Sequence, residues 1–149
     1  MDEQHEHEDV ISVLVVDDEE ALRTLIRRRL ERTGWYVVVA EATTTAETIT
    51  LAEHHQPDVV LLDLLLGPDR GADIIGELLR VAPMTLVAIL TVLSAEDQEE
   101  AVKTKGAFVF YEKALLADIP VHLREDLRTF HRALDGEEVV APSAITRRP

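Results

Sequence analysis

From Val10 to Val16 the chain is apolar at almost every position, then turns acidic at Asp17-Asp18. Such a run, bounded by charge, is the pattern of a strand covered on both faces in a parallel sheet. Leu22, Leu25, Ile26 and Leu30 follow at helical spacing with arginines between them, predicting a first helix over about 18–33 that Gly34 stops. Trp35 to Ala40 is β-branched and aromatic, as a second strand requires. Thr44-Thr45-Ala46-Glu47 has capping-box spacing for a second helix that must end before Pro57. Val59 to Leu62 is a third short buried strand, followed by the turn Gly67-Pro68-Asp69-Arg70-Gly71. A third helix carries Ile74, Ile75, Leu78 and Leu79 on one face and closes at Pro83. Thr85 to Thr91 is the fourth strand, Ser94 starts a fourth helix that Gly106 ends, and Ala107 to Tyr111 is the fifth strand. The fourth helix is apolar only at Ala95, Ala101 and Val102, so its packing is thin and it is the expected moving part. Leu123, Leu127, Phe130 and Leu134 stripe a fifth helix, with Pro120 in its first turn and Gly136 past its end.

Five strands that alternate with five helices imply an α/β fold of three layers, since parallel neighbours need right-handed crossovers. The expected architecture is a doubly wound five-stranded parallel sheet in the flavodoxin-like order 2-1-3-4-5. In such sheets ligands bind beyond the carboxyl ends of the strands at the switch point, here between strands one and three. Residues 1–9 form an acidic, flexible N-terminal tail, 10–135 the folded domain, and 136–149 a linker or C-terminal tail of the kind that leads to an output domain.

Composition narrows the function classes. The 149 residues are 46% hydrophobic and 30% charged, enough apolar surface for a packed core and too much for a disordered chain. The absence of cysteine excludes disulfides, thiolate metal sites and thiol nucleophiles. No apolar run is long enough to span a bilayer and the acidic start does not read as a secretory signal, so no membrane and a cytoplasmic location are expected. A net charge of −14 argues against direct nucleic-acid binding, because phosphates would be repelled. Arg23, Arg27, Arg28, Arg29 and Arg32 form a local basic stripe, which is either a solvated helix face or a dock for an acidic partner. His5, His7, His54, His55, His122 and His131 lack metal-ligand spacing, and no phosphate-binding glycine loop is present.

The chemistry lies at the strand ends. Asp17 and Asp18 follow strand one, Asp63 follows strand three, Thr91 ends strand four and Lys113 follows strand five. Singly, each has an ordinary role as a helix cap, a loop cap, a strand residue or a surface lysine. Together they place three carboxylates, an ammonium and a hydroxyl on one sheet edge. Three adjoining carboxylates need a cation, and an all-oxygen set suits Mg²⁺ or Mn²⁺. Lysine and threonine supply what a transferring phosphoryl group needs, charge compensation and a hydrogen bond. Asp69 and Asp73 read as turn and first-helical-turn residues.

Val-Leu-Val-Val-Asp17-Asp18-Glu19, Pro57-Asp58-Val-Val-Leu-Leu-Asp63-Leu64, Gly71, Thr91, Lys105-Gly106-Ala107 and Lys113, in this order and spacing, resemble the response-regulator receiver family over about Val10 to Asp135. The resemblance implies a two-component signalling domain, not an enzyme with free substrate turnover. Asp63 would be the phospho-acceptor that attacks a phosphohistidine on a sensor histidine kinase or phosphotransfer protein. Asp18, Asp63 and the Leu65 backbone carbonyl would ligate the metal, with Asp17 acting through water, and Thr91 and Lys113 would contact the phosphoryl oxygens. Phosphorylation would draw Thr91 inward with Phe110 following, reshaping the face of helix four, strand five and helix five, through which a homodimer would form.

Departures from the family pattern qualify this picture. Ala114 replaces the proline usual after the lysine, which removes the residue that makes a cis bond cheap. Val92, Leu65 and Leu93 put bulk and apolar surface where small or polar residues are common, so water should be poorly oriented and the phosphorylated state long-lived. Phe110 has no hydroxyl to anchor. The second reading is therefore a poorly phosphorylated receiver acting as a constitutive interaction module. A third, an aspartyl phosphohydrolase, would want an acid two residues after the nucleophile, where Leu65 stands.

Overall fold

A computed structural model describes residues 9–142 and 144; of the expected tails, residues 1–8, 143 and 145–149 lie outside the described residues. The chain begins β1 Ile11–Val16, α1 Glu20–Glu31, β2 Tyr36–Ala42, α2 Thr45–His55, β3 Val59–Leu62. A hairpin of β4 Leu65–Leu66 and β5 Asp69–Arg70 and a 3-10 turn at Gly71–Ile74 lead into α3 Ile75–Val81. There follow β6 Leu86–Thr91, α4 Ala95–Lys105, β7 Val109–Glu112, a 3-10 segment Lys113–Asp118 and α5 Ile119–Leu134. The five long strands form one parallel sheet in the order β2-β1-β3-β6-β7. This is the expected 2-1-3-4-5 order, with β6 and β7 as the fourth and fifth predicted strands.

The solid apolar runs have the burial that a doubly covered sheet demands. Leu14, Val16, Val60, Leu62, Ile89 and Phe110 face α2, α3 and α4, meeting Ala52, Ile75, Leu78 and Val102. Val13, Val15, Leu61, Leu90 and Tyr111 face α1 and α5, meeting Ile26, Leu30, Leu123 and Leu127. Each fully buried Val or Leu contributes about 1.5–3 kcal/mol of transfer free energy, so burial of the central strands is a large part of what holds the fold together.

Several local details differ from the sequence pattern. Leu25 is 41% exposed, because burial on α1 follows the fourfold spacing of Leu22, Ile26 and Leu30 and Leu25 is rotated off that line. Ala101 is exposed, leaving Ala95 and Val102 as the residues α4 buries fully. The Gly67–Arg70 turn is part of a hairpin, with Leu65 opposite Arg70 and Leu66 opposite Asp69, and Gly67 has φ +61. Thr44 caps α2 by accepting from the Glu47 N–H at 3.1 Å, while the Glu47 carboxylate reaches back to the Thr43 N–H at 2.8 Å. A 3-10 segment joins β7 to α5. Among the described residues no helix is long and apolar enough to cross a membrane.

Candidate functional site

All five strands of the sheet point the same way, so the residues after β1, β3, β6 and β7 emerge on one edge at the switch point. Backbone bonds carry the sheet one step further: the Asp17 N–H donates to the Ala42 carbonyl and the Asp63 N–H to the Val16 carbonyl, each at 3.1 Å. Both carboxylates are thereby held at fixed positions while they face the site. Asp17, Asp63 and Thr91 are buried and Asp18 is exposed.

The predicted residues come together. The Lys113 ammonium lies 2.8 Å from Asp63 Oδ2, a hydrogen bond, and 2.7 Å from Asp17 Oδ2, an ion pair without hydrogen-bond alignment. Asp63 Oδ1 accepts from the Leu65 N–H at 3.1 Å, and Asp17 Oδ1 from the Glu19 N–H at 2.9 Å. The Thr91 hydroxyl accepts from the Leu93 N–H at 3.4 Å and lies near enough to the Asp63 carboxylate to pull its pKa down. Burial raises the pKa of Asp63, against the opposing pull of Lys113, the Leu65 N–H and Thr91. Burial also disfavours the charged form of Lys113, but the Asp17 and Asp63 carboxylates outweigh it and its pKa is raised. The ammonium therefore stays charged.

With every group ionised, three carboxylates and one ammonium sum to −3 + 1 = −2. One carboxylate oxygen from each of Asp17, Asp18 and Asp63 lies within 4.8 Å of the others. Asp17 Oδ2 is buried and, among the described residues, has no neighbour of opposite charge other than the Lys113 ammonium, which Asp63 shares. An all-oxygen donor set with a deficit of two positive charges, open to water on the Asp18 side, fits a hard divalent cation such as Mg²⁺. No other group of three or more potential ligands occurs among the described residues, which include His54, His55, His122 and His131, while His5 and His7 lie outside them.

The remaining expected positions are now placed. Phe110 is wholly buried on the sheet face under α4, and Thr91 is wholly buried beside Asp63. The Lys113–Ala114 peptide is trans, as are the others described. Leu65 and Val92 are 40% and 66% exposed, whereas Leu93 packs against the core beneath α4. Arg23 and Arg27 of the basic stripe both pair with Glu41 of β2, the Arg23 bond being 2.8 Å, so that end of the stripe is engaged within the fold.

Sequence reasoning gave no supporting role to Arg23, Asp69 or Glu112, and named Gly71 only in a turn and as part of the family motif. Arg23 donates to the Asp17 carbonyl at 2.8 Å and steadies the acidic turn. Asp69 accepts from the Thr45 N–H and hydroxyl at 3.2 and 3.0 Å, tying the hairpin to α2. Glu112 accepts from the Ala95 N–H at 2.8 Å. Gly71 packs directly on the Asp63 backbone, and a Cβ there would fall 2.1 Å from the Asp63 carbonyl oxygen. Only the last left a signal, the glycine eight residues after Asp63; the others are tertiary contacts without a local motif.

Comparison with known proteins agrees with this geometry. Residues 13–119 match the family model of the response regulator receiver domain. The chain is 31% identical over 141 residues to the transcriptional regulatory protein PdtaR of Mycobacterium tuberculosis, covering 91% of this chain and 67% of that one. It is 30% identical to the alkaline phosphatase synthesis transcriptional regulatory protein PhoP of Bacillus subtilis, of which it spans 52%. The crystal structure of a LuxR-family two-component response regulator from Aurantimonas superposes with a TM-score of 0.70 at 25% identity, covering 90% of this chain and 91% of that one. A receiver fold that holds an acidic cluster, a lysine and a threonine at its switch point, matched over most of its length, leaves one assignment: the chain belongs to the response regulator receiver family.

Proposed function

We propose that this chain is a phosphorylation switch that accepts a phosphoryl group on Asp63 from a sensor histidine kinase or phosphotransfer protein. The observation that carries the reading is Asp63 itself, a buried carboxylate held by Lys113 and the Leu65 N–H within the Asp17-Asp18-Asp63 cluster. An Asp63 oxygen attacks phosphorus, the P–N bond of the phosphohistidine breaks, and the imidazole leaves with the bonding pair and takes up a proton. Asp17, Asp18, Asp63 and the Leu65 carbonyl would hold Mg²⁺ or Mn²⁺, which offsets charge on the phosphoryl oxygens when bound. Lys113 would compensate the charge on the same oxygens, and the Thr91 hydroxyl would donate a hydrogen bond to them. The output runs through the α4–β7–α5 face, in the cytoplasm, either as a homodimer or to a further domain, and direct nucleic-acid contact by these acidic residues is not expected.

The test is incubation with Mg²⁺ and a small-molecule phosphodonor, read by intact mass and hydroxylamine sensitivity. The parent should gain one phosphoryl group that hydroxylamine removes, and Asp63→Asn should gain none. A parent that stays unmodified with both the phosphodonor and a cognate kinase would favour the second reading, a constitutive interaction module. That alternative draws on Phe110 and Thr91, both already wholly buried, and on the apolar rim of Leu65 and Val92.

A further inference from the structure

The first turn of a helix leaves N–H groups without partners inside the helix, and an interior cap normally comes from the residue just before it. In α4 the Ser94 hydroxyl accepts from the Glu96 N–H at 3.1 Å and the Ser94 carbonyl from the Asp97 N–H at 3.2 Å. The N–H of Ala95 is taken instead by a carboxylate from another element, Glu112 at the end of β7, at 2.8 Å. Glu112 stands opposite Thr91 in the β6–β7 register, shares a strand face with the buried Phe110, and immediately precedes Lys113. One side chain thus connects the strand that delivers Lys113 to the far end of the loop that begins at Thr91. A carboxylate on a helix N-terminus is a charge-assisted bond favoured by the helix dipole.

We infer that Glu112 is a positioning residue that latches the 91–95 loop to β7, so that Thr91 is fixed beside Asp63 before any phosphoryl group arrives. The inference rests on the phospho-acceptor reading of Asp63 for its functional consequence, but the latch itself is a property of the resting fold. It makes the receptive arrangement of Thr91 a standing feature of the site instead of a response to the phosphoryl group.

The test compares Glu112→Ala, Glu112→Gln and Ser94→Ala in the full chain. Three readouts apply: single-turnover phosphorylation by a small phosphodonor, the Mg²⁺ concentration giving half the maximal rate, and the Thr91 methyl resonance with amide exchange at 92–96. Glu112→Ala should slow phosphorylation about tenfold, the order of one charge-assisted hydrogen bond lost. It should leave half-saturating Mg²⁺ unchanged, shift the Thr91 methyl and speed exchange in the loop. Glu112→Gln, which keeps an acceptor, should fall between. Ser94→Ala removes a cap of the same helix without touching β7, and should leave both the rate and the Thr91 resonance near parental. The inference is overturned if Ser94→Ala matches Glu112→Ala, which would make the effect general fraying of α4. It is overturned equally if Glu112→Ala leaves the Thr91 resonance and loop exchange unmoved. Should the parent take no phosphoryl group, the acceptor reading falls while the resonance and exchange still decide on the latch.

Discussion

Substituting alanine for Gly71 sets two well-defined effects against each other. Glycine to alanine at a compatible backbone site stabilises by about 0.4–1 kcal/mol through the unfolded chain. Against this, the new Cβ would sit 2.1 Å from the Asp63 carbonyl oxygen, 3.1 Å from the Asp63 carbonyl carbon and 3.2 Å from Leu64 Cα. Relief requires the Asp63–Leu64 backbone to retreat by roughly 1 Å, and overpacking of that kind costs about 1–3 kcal/mol. The Gly71 N–H also donates to the Leu64 carbonyl at 3.0 Å, so the two segments cannot separate without straining that bond. The clash should win, and Gly71→Ala should be less stable by about 1–2 kcal/mol in urea unfolding. The retreat displaces Asp63 relative to Lys113, and a displacement near 1 Å at a reacting group costs on the order of 100-fold in rate. Phosphorylation by a small phosphodonor should therefore slow far more than the stability loss explains. Gly76 is the internal control, since nothing lies within 4 Å of a Cβ built there and it sits inside α3. Gly76→Ala should stabilise by about 0.5–1 kcal/mol and leave phosphorylation untouched. A Gly71→Ala protein that is as stable as the parent and phosphorylates at the parental rate would refute the reasoning.

Three further outcomes are expected. Gln56, at φ 46, donates to the Glu53 and Val81 carbonyls at 2.9 Å each and so joins the ends of α2 and α3; Gln56→Ala should cost about 1 kcal/mol in thermal unfolding, and Gln56→Gly less because the left-handed backbone is relieved. Burial raises the Asp126 pKa above its ordinary 3.8, so its ionised form carries a stability penalty that is complete above the raised folded value and gone below the unfolded value. Asp126→Asn, which keeps an acceptor for the Tyr111 hydroxyl now 2.7 Å away, should thus gain stability over the parent at neutral pH, the gain vanishing as melts are moved toward pH ~3.8. Leu65, 40% exposed beside Asp63, shields that carboxylate from an oriented water, so Leu65→Asn should shorten the aspartyl-phosphate lifetime by well under the ~100-fold of a full general base, followed by hydroxylamine-quenched decay.

The fold was legible because its central strands are buried on both faces and read as unbroken apolar runs, Val13–Val16 and Val59–Leu62 above all. Crossover connections then make the sheet parallel, the flavodoxin-like order is a choice from among the doubly wound arrangements, and the switch-point rule gathers Asp17, Asp63, Thr91 and Lys113 on one edge. What escaped the sequence has no period to read. A two-residue strand such as Leu65–Leu66 is shorter than any repeat that could announce it. Leu25 fits a helical stripe as well as Ile26 does, and only the sheet beneath decides which of them is covered. Arg23, Glu112 and Asp69 act across 18, 17 and 24 residues of sequence, and each looked like an ordinary charged surface residue. Pairing partners, in short, are set by where the backbone places them.

The positions of Thr91 and Phe110 bear on how a signal could leave the site. In the arrangement the family resemblance implies, threonine moves inward on phosphorylation and the aromatic occupies the space it vacates. Here both side chains are wholly buried already, and Glu112 bonds the start of α4 to β7, the strand that carries Phe110. A phosphoryl group that meets a preset Thr91 has little inward displacement left to drive. The free energy of its contacts must then act on what is still loosely held. On this face that is α4, which buries only Ala95 and Val102 fully and is tied elsewhere by the Glu112 bond to the Ala95 N–H and by the Lys103 ammonium, which donates to the Pro142 carbonyl at 2.7 Å. With so little apolar burial the helix is easily shifted relative to a rigid sheet. Transmission through a change in how firmly α4 is seated, with the aromatic stationary, is the route that this packing favours.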